Sequence, residues 1–336
     1  MRARRGSRCR AVHCSRFPLA PSDRDRLIIA LDLGGTKLAA GLVAAGGQIR
    51  KLAAEPTDAS GRDACLNQLI AAALQAKGWA GGRAVGVGVS VPGLARRDGT
   101  VWAPNLPGWT RVPVARRLSC ATGLPVVVES DRNASVVGEA WRGAARGATD
   151  AVYLIVGTGI GAGILAGGRL VRGADELSGC AGWLVFPVPG GRRGAPGATF
   201  LESIAAGPAI GAAGAARLGR PTMTARDVLI AVRRGSHQAR TVIEHAAFFL
   251  GLAVADIISL LNPQVVVLGG GVGASGEALL APLRRTALRW AQPLAARRVR
   301  IVASRLGGRA PLLGAARLAW DRVAAVSRQP QAEPRL

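Results

Sequence analysis

Three clusters of glycine follow short apolar runs in this chain. Such clusters are where a backbone can approach a phosphate, because a residue without Cβ lets several N–H groups converge on one anion. The first is Gly34-Gly35-Thr36-Lys37, after residues 27–33. The second is Gly157-Thr158-Gly159-Ile160-Gly161, after residues 151–156. The third is Gly269-Gly270-Gly271, after residues 264–268. Thr36 and Thr158 add hydroxyl donors for phosphate oxygens. Asp32 ends the first apolar run and offers a carboxylate for Mg²⁺, bound directly or through water. Lys37 either orients the phosphate loop or is a surface hairpin lysine. One glycine turn alone is an ordinary tight hairpin; two of them with a third cluster point to a nucleotide phosphate site.

The elements that must hold these turns can be read from the apolar pattern. Residues 27–33 form a strand and residues 38–43 return as its hairpin partner. No helix follows the first glycines and no G-x-x-x-x-G-K-[ST] occurs, so a P-loop and a Rossmann turn are both excluded. A helix is expected over 63–77, a strand over 84–91, a short helix over 113–122, a strand over 124–128 and a helix over 133–146. The strand–turn–strand unit then recurs over 151–165, an internal duplication in architecture more than in sequence. Helices over 225–234 and 239–261, a buried strand over 264–268, a helix over 276–290, a strand over 299–303 and a last helix over 311–325 complete the chain.

Taken together, the motifs resemble those of the ROK sugar kinases (repressor, open reading frame, kinase). Residues 32–37 and 157–161 resemble the family's two phosphate motifs. Ala103-Pro104-Asn105-Leu106-Pro107-Gly108-Trp109 is similar to its loop before the sugar site. Leu268-Gly269-Gly270-Gly271-Val272 and Leu313-Gly314-Ala315-Ala316 resemble its adenosine segments. The resemblance runs from Leu27 to about Ala325. It implies an α/β, actin-like ATPase (ribonuclease H-like) fold of two domains, each a mixed β-sheet flanked by helices, with a cleft between them. Residues 27–130 plus 311–326 would form the N-terminal domain and 131–310 the C-terminal one, after a basic extension over 1–26 and before a tail over 327–336.

The resemblance also implies roles. Asp131, in Glu129-Ser130-Asp131-Arg132-Asn133, matches the catalytic base; its position suits a helix N-cap equally well. Asp32, Gly34, Gly35, Thr36, Lys37, Gly157, Thr158, Gly159 and Gly161 would bind phosphates and Mg²⁺. Gly269, Gly270, Gly271 and Gly314 would line adenosine. Asn105, Ser130, Asp131, Cys180, Trp183 and Glu202 fall on sugar-site positions. Four departures cluster there. Ser130 replaces an Asn, Cys180 a sugar-binding Glu, and Trp183 a zinc-ligating His. The Cys-x-Cys-x4-Cys zinc loop falls on Arg193, Ala195 and Phe200. No structural zinc is therefore expected. Glu202 is either the family's second sugar-binding Glu or a surface residue opening a helix. Cys180 is either a reactive thiol lining the site or a small buried residue. The implied activity is ATP- and Mg²⁺-dependent phosphorylation of a hexose or modified hexose hydroxyl; the alternative is an inactive sugar-sensing protein.

Composition bounds the remaining possibilities. Of 336 residues 49 % are hydrophobic and only 4 % aromatic, so the core must be built from Ala, Val, Leu and Ile. The formal net charge of +24 invites a polyanion partner. Nearly all the cations are Arg, spread along the whole chain, and their doublets do not merge into one stripe with interleaved aromatics, so a solvated surface is the better reading; no nucleic-acid partner is expected. The repressors of the family carry a helix-turn-helix ahead of the first phosphate motif, and only 26 residues precede Leu27 here. Five scattered cysteines show no disulfide framework. No apolar run suggests a membrane span and no secretory signal is visible. A cytoplasmic protein is the resulting expectation, and the resemblance implies a homo-oligomer, a dimer.

Overall fold

The computed structural model describes residues 25–187 and 197–326. Chain order begins with β1 (Leu27–Leu33), β2 (Lys37–Ala44), β3 (Ile49–Pro56), α1 (Arg62–Ala80), β4 (Ala84–Val91), β5 (Leu94–Ala95), β6 (Val101–Trp102), α2 (Val114–Thr122), β7 (Val126–Ser130) and α3 (Asp131–Arg142). The second half follows with β8 (Ala151–Val156), β9 (Ile160–Ala166), β10 (Arg169–Leu170), β11 (Val185–Pro187), β12 (Ala198–Phe200), α4 (Leu201–Ala205), α5 (Gly207–Leu218), α6 (Ala225–Arg233), α7 (His237–Leu261), β13 (Val265–Gly269), α8 (Gly270–Gly273), α9 (Glu277–Trp290), α10 (Pro293–Ala296), β14 (Arg300–Ala303) and α11 (Ala310–Val326).

The duplication expected from the sequence is present in the hydrogen bonding. The first sheet has the order β3-β2-β1-β4-β7 and the second β10-β9-β8-β13-β14. In each, a hairpin strand pairs antiparallel with a central strand, and two further strands add in parallel. This is the mixed sheet of the actin-like ATPase fold, built twice. β1 is buried on both faces, which is why it reads as a continuous apolar run instead of an alternating one. Its Ile29, Leu31 and Leu33 join the cluster with α1 and α2, whereas Ile28 and Ala30 face Leu312, Ala316 and Trp320 of α11. The second sheet likewise packs α7 and α9 on one face and Val136, Val137 and Ala140 of α3 on the other.

The centre of the molecule is thus a four-layer stack: β4, α11, α3, β9. Each pair of neighbouring layers has at least one close approach made through a glycine. A Cβ on Gly88 would run into the carbonyl of Ala315, one on Gly314 into the carbonyl of Ala134, one on Gly138 into that of Ala310, and one on Gly163 into that of Arg132. Backbones this close leave no room for side chains between them.

Several elements depart from the sequence reading. α5 was not anticipated: Gly207-Pro208-Ala209-Ile210-Gly211 has too much glycine and too little apolar periodicity to announce a helix. β3 was missed because its side chains are exposed, as suits a charged edge strand. The helix after β7 begins at Asp131, with Ser130 as its N-cap, so Asp131 lies inside the first turn. α7 is long and apolar enough to cross a membrane, contrary to the expectation that no segment would be. It is a core helix here, with Ile243, Ala247, Leu250, Val254 and Ile258 buried in the second half. The expected extension over 1–26 and tail over 327–336 fall almost wholly outside the described residues.

Gly314→Ala is expected to destabilise the fold by about 1–3 kcal/mol through overpacking at the α3–α11 crossing. Gly308→Ala, where a Cβ meets nothing within 4 Å, should change stability by less than about 0.5 kcal/mol. Urea denaturation of both variants decides it; equal stabilities would refute the packing argument.

Candidate functional site

The two hairpin turns are built alike. In the first, the Gly34 N–H donates to the Lys37 carbonyl at 2.8 Å, and Thr57 clamps the turn from outside. Thr57 Oγ1 donates to the Gly34 carbonyl at 2.8 Å and its N–H to the Thr36 carbonyl at 3.1 Å. Gly35 has no atom within 4 Å of where a Cβ would lie, and Thr36 and Lys37 are exposed. In the second, the Gly157 N–H donates to the Gly159 carbonyl at 2.9 Å, and the Gly157 carbonyl accepts from the Gly207 N–H at 2.7 Å. Gly157 is open in the same way and Thr158 is exposed. Thr57 and Gly207 escaped the sequence reading because neither belongs to a glycine cluster.

Gly271 joins this open set: it is exposed, and nothing lies within 4 Å of its Cβ position. Gly270 takes φ +80°, which favours glycine at the start of α8. Gly207, at the start of α5, sits against both Gly157 and Val272, so the second turn, the third glycine cluster and α5 meet at one place. Two glycines assigned to ligands from sequence have a packing reason to be glycine. Gly269 is filled by the Tyr153 ring and Gly314 is buried in the α3–α11 crossing, whereas Gly161 lies in β9 with only ordinary contacts to Arg132 and Ile155.

Asp32 and Asp131 sit at the carboxyl ends of β1 and β7, with β4 between them. They are close enough for their charges to interact. Burial pushes the Asp32 carboxyl from 3.8 up to about 7; the Asp131 charge adds to the rise, while Ser90 and the Lys37 ammonium oppose it. Burial also raises Asp131, against the Arg132 N–H and the Arg132 charge. Asp131 Oδ1 accepts that N–H at 2.7 Å, which occupies one oxygen and leaves the other. Ser90, in register with Asp32 on β4, has a buried hydroxyl without a hydrogen-bond partner of good geometry. Two desolvated carboxylates beside an unsatisfied hydroxyl and an open glycine turn fit a hard divalent cation.

Behind Asp131 lies a buried ion pair that the sequence reading did not find. Glu129 Oε2 accepts from Arg172 Nε at 3.0 Å and Nη2 at 2.7 Å. Its Oε1 accepts from the Ser130 N–H and from Asn133 Nδ2, each at 3.0 Å. The pair ties the loop after β10 to the start of α3. Ser130 is buried, with its Oγ 3.5 Å from Glu129 Oε1, so it is turned to the helix start.

The remaining sugar-site positions divide by exposure. Asn105 is exposed on a loop anchored by buried Leu106 and Trp109 and closed by the Ala103 N–H on the Trp109 carbonyl at 2.8 Å. Glu202 is exposed, and its Oε2 accepts the Ile160 N–H at 2.8 Å, so this carboxylate reaches the second phosphate turn. Gly159 and Gly182 both lie against it. Cys180 is half-buried and its carbonyl accepts from the Trp183 N–H at 3.0 Å. Trp183 is 67 % exposed and packs on Phe200, ring centroids 4.9 Å apart. These are the two described residues on zinc-ligand positions, and they touch each other. Arg193 and Ala195 lie outside the described residues.

The raised Asp32 value makes stability pH-dependent. Its folded pKa of about 7 lies above the ordinary 3.8, so folding takes up a proton between those values and stability falls as pH rises through that window. Asp32→Asn removes this cost. Its stability gain over the parent chain should be small near pH 5 and grow toward pH 8, to at most about 4 kcal/mol. Urea titrations at both pH values test this; a pH-independent difference would contradict it.

Comparison with known proteins agrees with the geometry. The ROK family model matches residues 28–322. A glucokinase of Thermotoga maritima is 32 % identical over 317 residues, spanning 88 % of this chain and 98 % of the relative. An N-acetylmannosamine kinase of Escherichia fergusonii is 36 % identical over 297 residues, spanning 87 % and 97 %. The crystal structure of a ROK family glucokinase from Streptomyces griseus in complex with glucose and AMPPNP matches with a TM-score of 0.75 at 31 % identity, covering 88 % of this chain and 99 % of that one. With its duplicated sheet and paired glycine turns, and with the family model matching nearly the whole described chain, this chain belongs to the ROK family.

Proposed function

We infer that the protein is a sugar kinase that transfers the γ-phosphoryl group of ATP to a hydroxyl of a hexose or modified hexose. The observation that carries this reading is the placement of Asp131, desolvated and close to Asp32, at the head of the helix that packs on the second phosphate hairpin. An inactive sensor would have no use for a buried carboxylate with one oxygen uncommitted. The relatives support the same reading: one acts on glucose by its name, another on N-acetylmannosamine.

The chemistry follows from the residues. ATP would lie with its phosphates between the two turns, near the N–H groups of residues 34–36 and 157–159, and its base toward Gly271 and α5. Asp32 would hold Mg²⁺, directly or through water, and the ion supplies neutralisation of phosphate charge. The free Asp131 oxygen accepts the proton of the sugar hydroxyl as that oxygen bonds to the γ-phosphorus; the bond to the bridging oxygen breaks and ADP leaves. Burial raises the Asp131 pKa and so makes it a stronger base than an exposed carboxylate. We assign residues 131–310 to one domain and 27–130 with 311–326 to the other, since α3 packs on the second sheet and α11 on the first. Closure between them would exclude water.

The sugar contacts are proposed to come from Asn105, Asp131 and Glu202, with Trp183 offering an exposed aromatic face where the family has a metal ligand. A site with fewer hydroxyl readers discriminates less sharply between epimers. The expected assay outcome is ADP release that depends on a sugar, measured across hexoses, amino sugars and N-acetyl sugars. Asp131→Asn should lower turnover by about 10²–10⁴-fold while AMPPNP still binds. ATP binding with no turnover on any sugar would favour the sensor instead.

We further propose that the Trp183–Phe200 contact replaces the zinc of the family. Among the described residues no group of three His, Cys, Asp or Glu is placed to hold a metal. Metal analysis of the dialysed protein should find no stoichiometric zinc; a full equivalent would overturn the alignment of Trp183 and Phe200 with ligand positions.

A further inference from the structure

A second cavity, of about 720 Å³, lies between the edge strands of the two sheets, β7 and β10. It is separate from the glycine turns: none of Asp32, Asp131, the phosphate hairpins or the third glycine cluster lines it. Its floor is apolar, from Val127 and Val128 of β7, Val137 of α3, Leu165 of β9 and Leu318 of α11. Its rim is charged, and the charges are arranged unevenly.

Every acidic group on the rim already has an arginine. Asp98 holds Arg111 at 3.1 Å, Glu129 holds Arg172 at 2.7 Å, Glu176 holds Arg97 at 2.6 Å, and Asp321 holds Arg317 at 2.8 Å. Three further arginines line the same space: Arg96, Arg169 and Arg322. None makes an ion pair or side-chain hydrogen bond among the described residues, and Arg96 is half-buried. The acids being neutralised, these three cations dominate the field in the cavity. They also come from different parts of the fold: Arg96 from the β5–β6 hairpin of the first half, Arg169 from β10 of the second, and Arg322 from α11.

We propose that this cavity is a binding site for a small organic phosphate, of hexose-phosphate size, distinct from the catalytic cleft. Guanidinium groups recognise phosphate through paired N–H donors, and three of them converging on one cavity provide more donors than a single phosphate needs. The apolar floor suits the carbon skeleton of the ligand, and the volume exceeds that of inorganic phosphate several times over. Because the arginines come from both halves, an occupant ties the two halves together. It also reaches the Glu129–Arg172 pair, which lines the cavity on one side and holds the Ser130 N–H and Asn133 at the head of α3 on the other. Occupancy therefore bears on the helix start that carries Asp131.

The test uses the full chain and glucose 6-phosphate as probe, with inorganic phosphate as a second arm. Calorimetric titration in the presence of saturating AMPPNP and sugar, which fill the catalytic cleft, should still show one binding event. The double variant Arg169→Ala, Arg322→Ala should bind the probe at least about tenfold more weakly, since each lost charge-assisted contact is worth that order. Its turnover without the probe should match the parent enzyme. Affinity should fall with rising salt, because two of the arginines are exposed. Inorganic phosphate should bind more weakly and with the same dependence on the two arginines. Unchanged affinity in the double variant, or loss of all probe binding once the catalytic cleft is filled, would overturn the proposal. The comparison of the double variant with the parent chain, run without AMPPNP or sugar, reads binding alone and does not depend on the sugar kinase assignment, whereas the filled-cleft arm does.

Discussion

The close approach of α3 and α11 is the constraint on which the rest of the molecule depends. Gly138 and Gly314 let the two helices cross backbone to backbone, and Gly88 and Gly163 let each helix seat on its own sheet in the same manner. The four contacts transmit position through rigid backbone instead of through side chains that can change rotamer. Asp131 opens α3 and Gly163 fixes the carbonyl of the next residue, Arg132, so the carboxylate proposed as the base is located relative to the second glycine hairpin by main-chain packing. One methyl group at any of these points would separate layers that have no slack.

Around that rigid centre the fold concentrates groups that oppose its own stability. Asp32 and Asp131 are half-buried, desolvated carboxyls near one another, and Glu129 is buried against Arg172. Each costs free energy that a purely structural protein would avoid. The cost is tolerable because the charges lie at strand ends, where the sheets are held by extensive apolar packing on both faces. Such local conflict at the mouth of a well-packed fold is the pattern expected where function constrains residue choice.

On the proposed assignment, the sugar side of the cleft departs further from the family than the nucleotide side. Both turns have their glycines, threonines and main-chain hydrogen bonds, whereas an aromatic contact between Trp183 and Phe200 stands at the proposed metal-ligand positions. A triphosphate presents the same geometry to any kinase, so its cradle has little freedom to vary. The acceptor differs from one enzyme to another, and so does the packing that shapes its pocket. Glu202 spans both sides, since its carboxylate accepts a hydrogen bond from the second phosphate turn while standing among the sugar-site residues.

How much was legible in advance follows from the range of the forces involved. Strand β1, its hairpin return, strand β4 and the carboxylate at Asp131 are visible in the chain itself, because an apolar run, a glycine turn and the residue after a strand are local patterns. The recurrence of the strand–turn–strand unit was also visible, but the strand order within each sheet was not, and α5 and β3 carry too weak a periodicity to be seen. Tertiary structure alone decided why particular glycines are glycine: Gly35 and Gly157 stand at open turns, while Gly269 and Gly314, from the same set of motifs, are filled by Tyr153 and the backbone of Ala134. It alone brought Arg172 to Glu129, 43 residues away, and Gly207 to Gly157. The physical reason is that a glycine leaves the same mark in a sequence whether its missing side chain makes room for a ligand or for a neighbouring helix; only the packed neighbours distinguish the two.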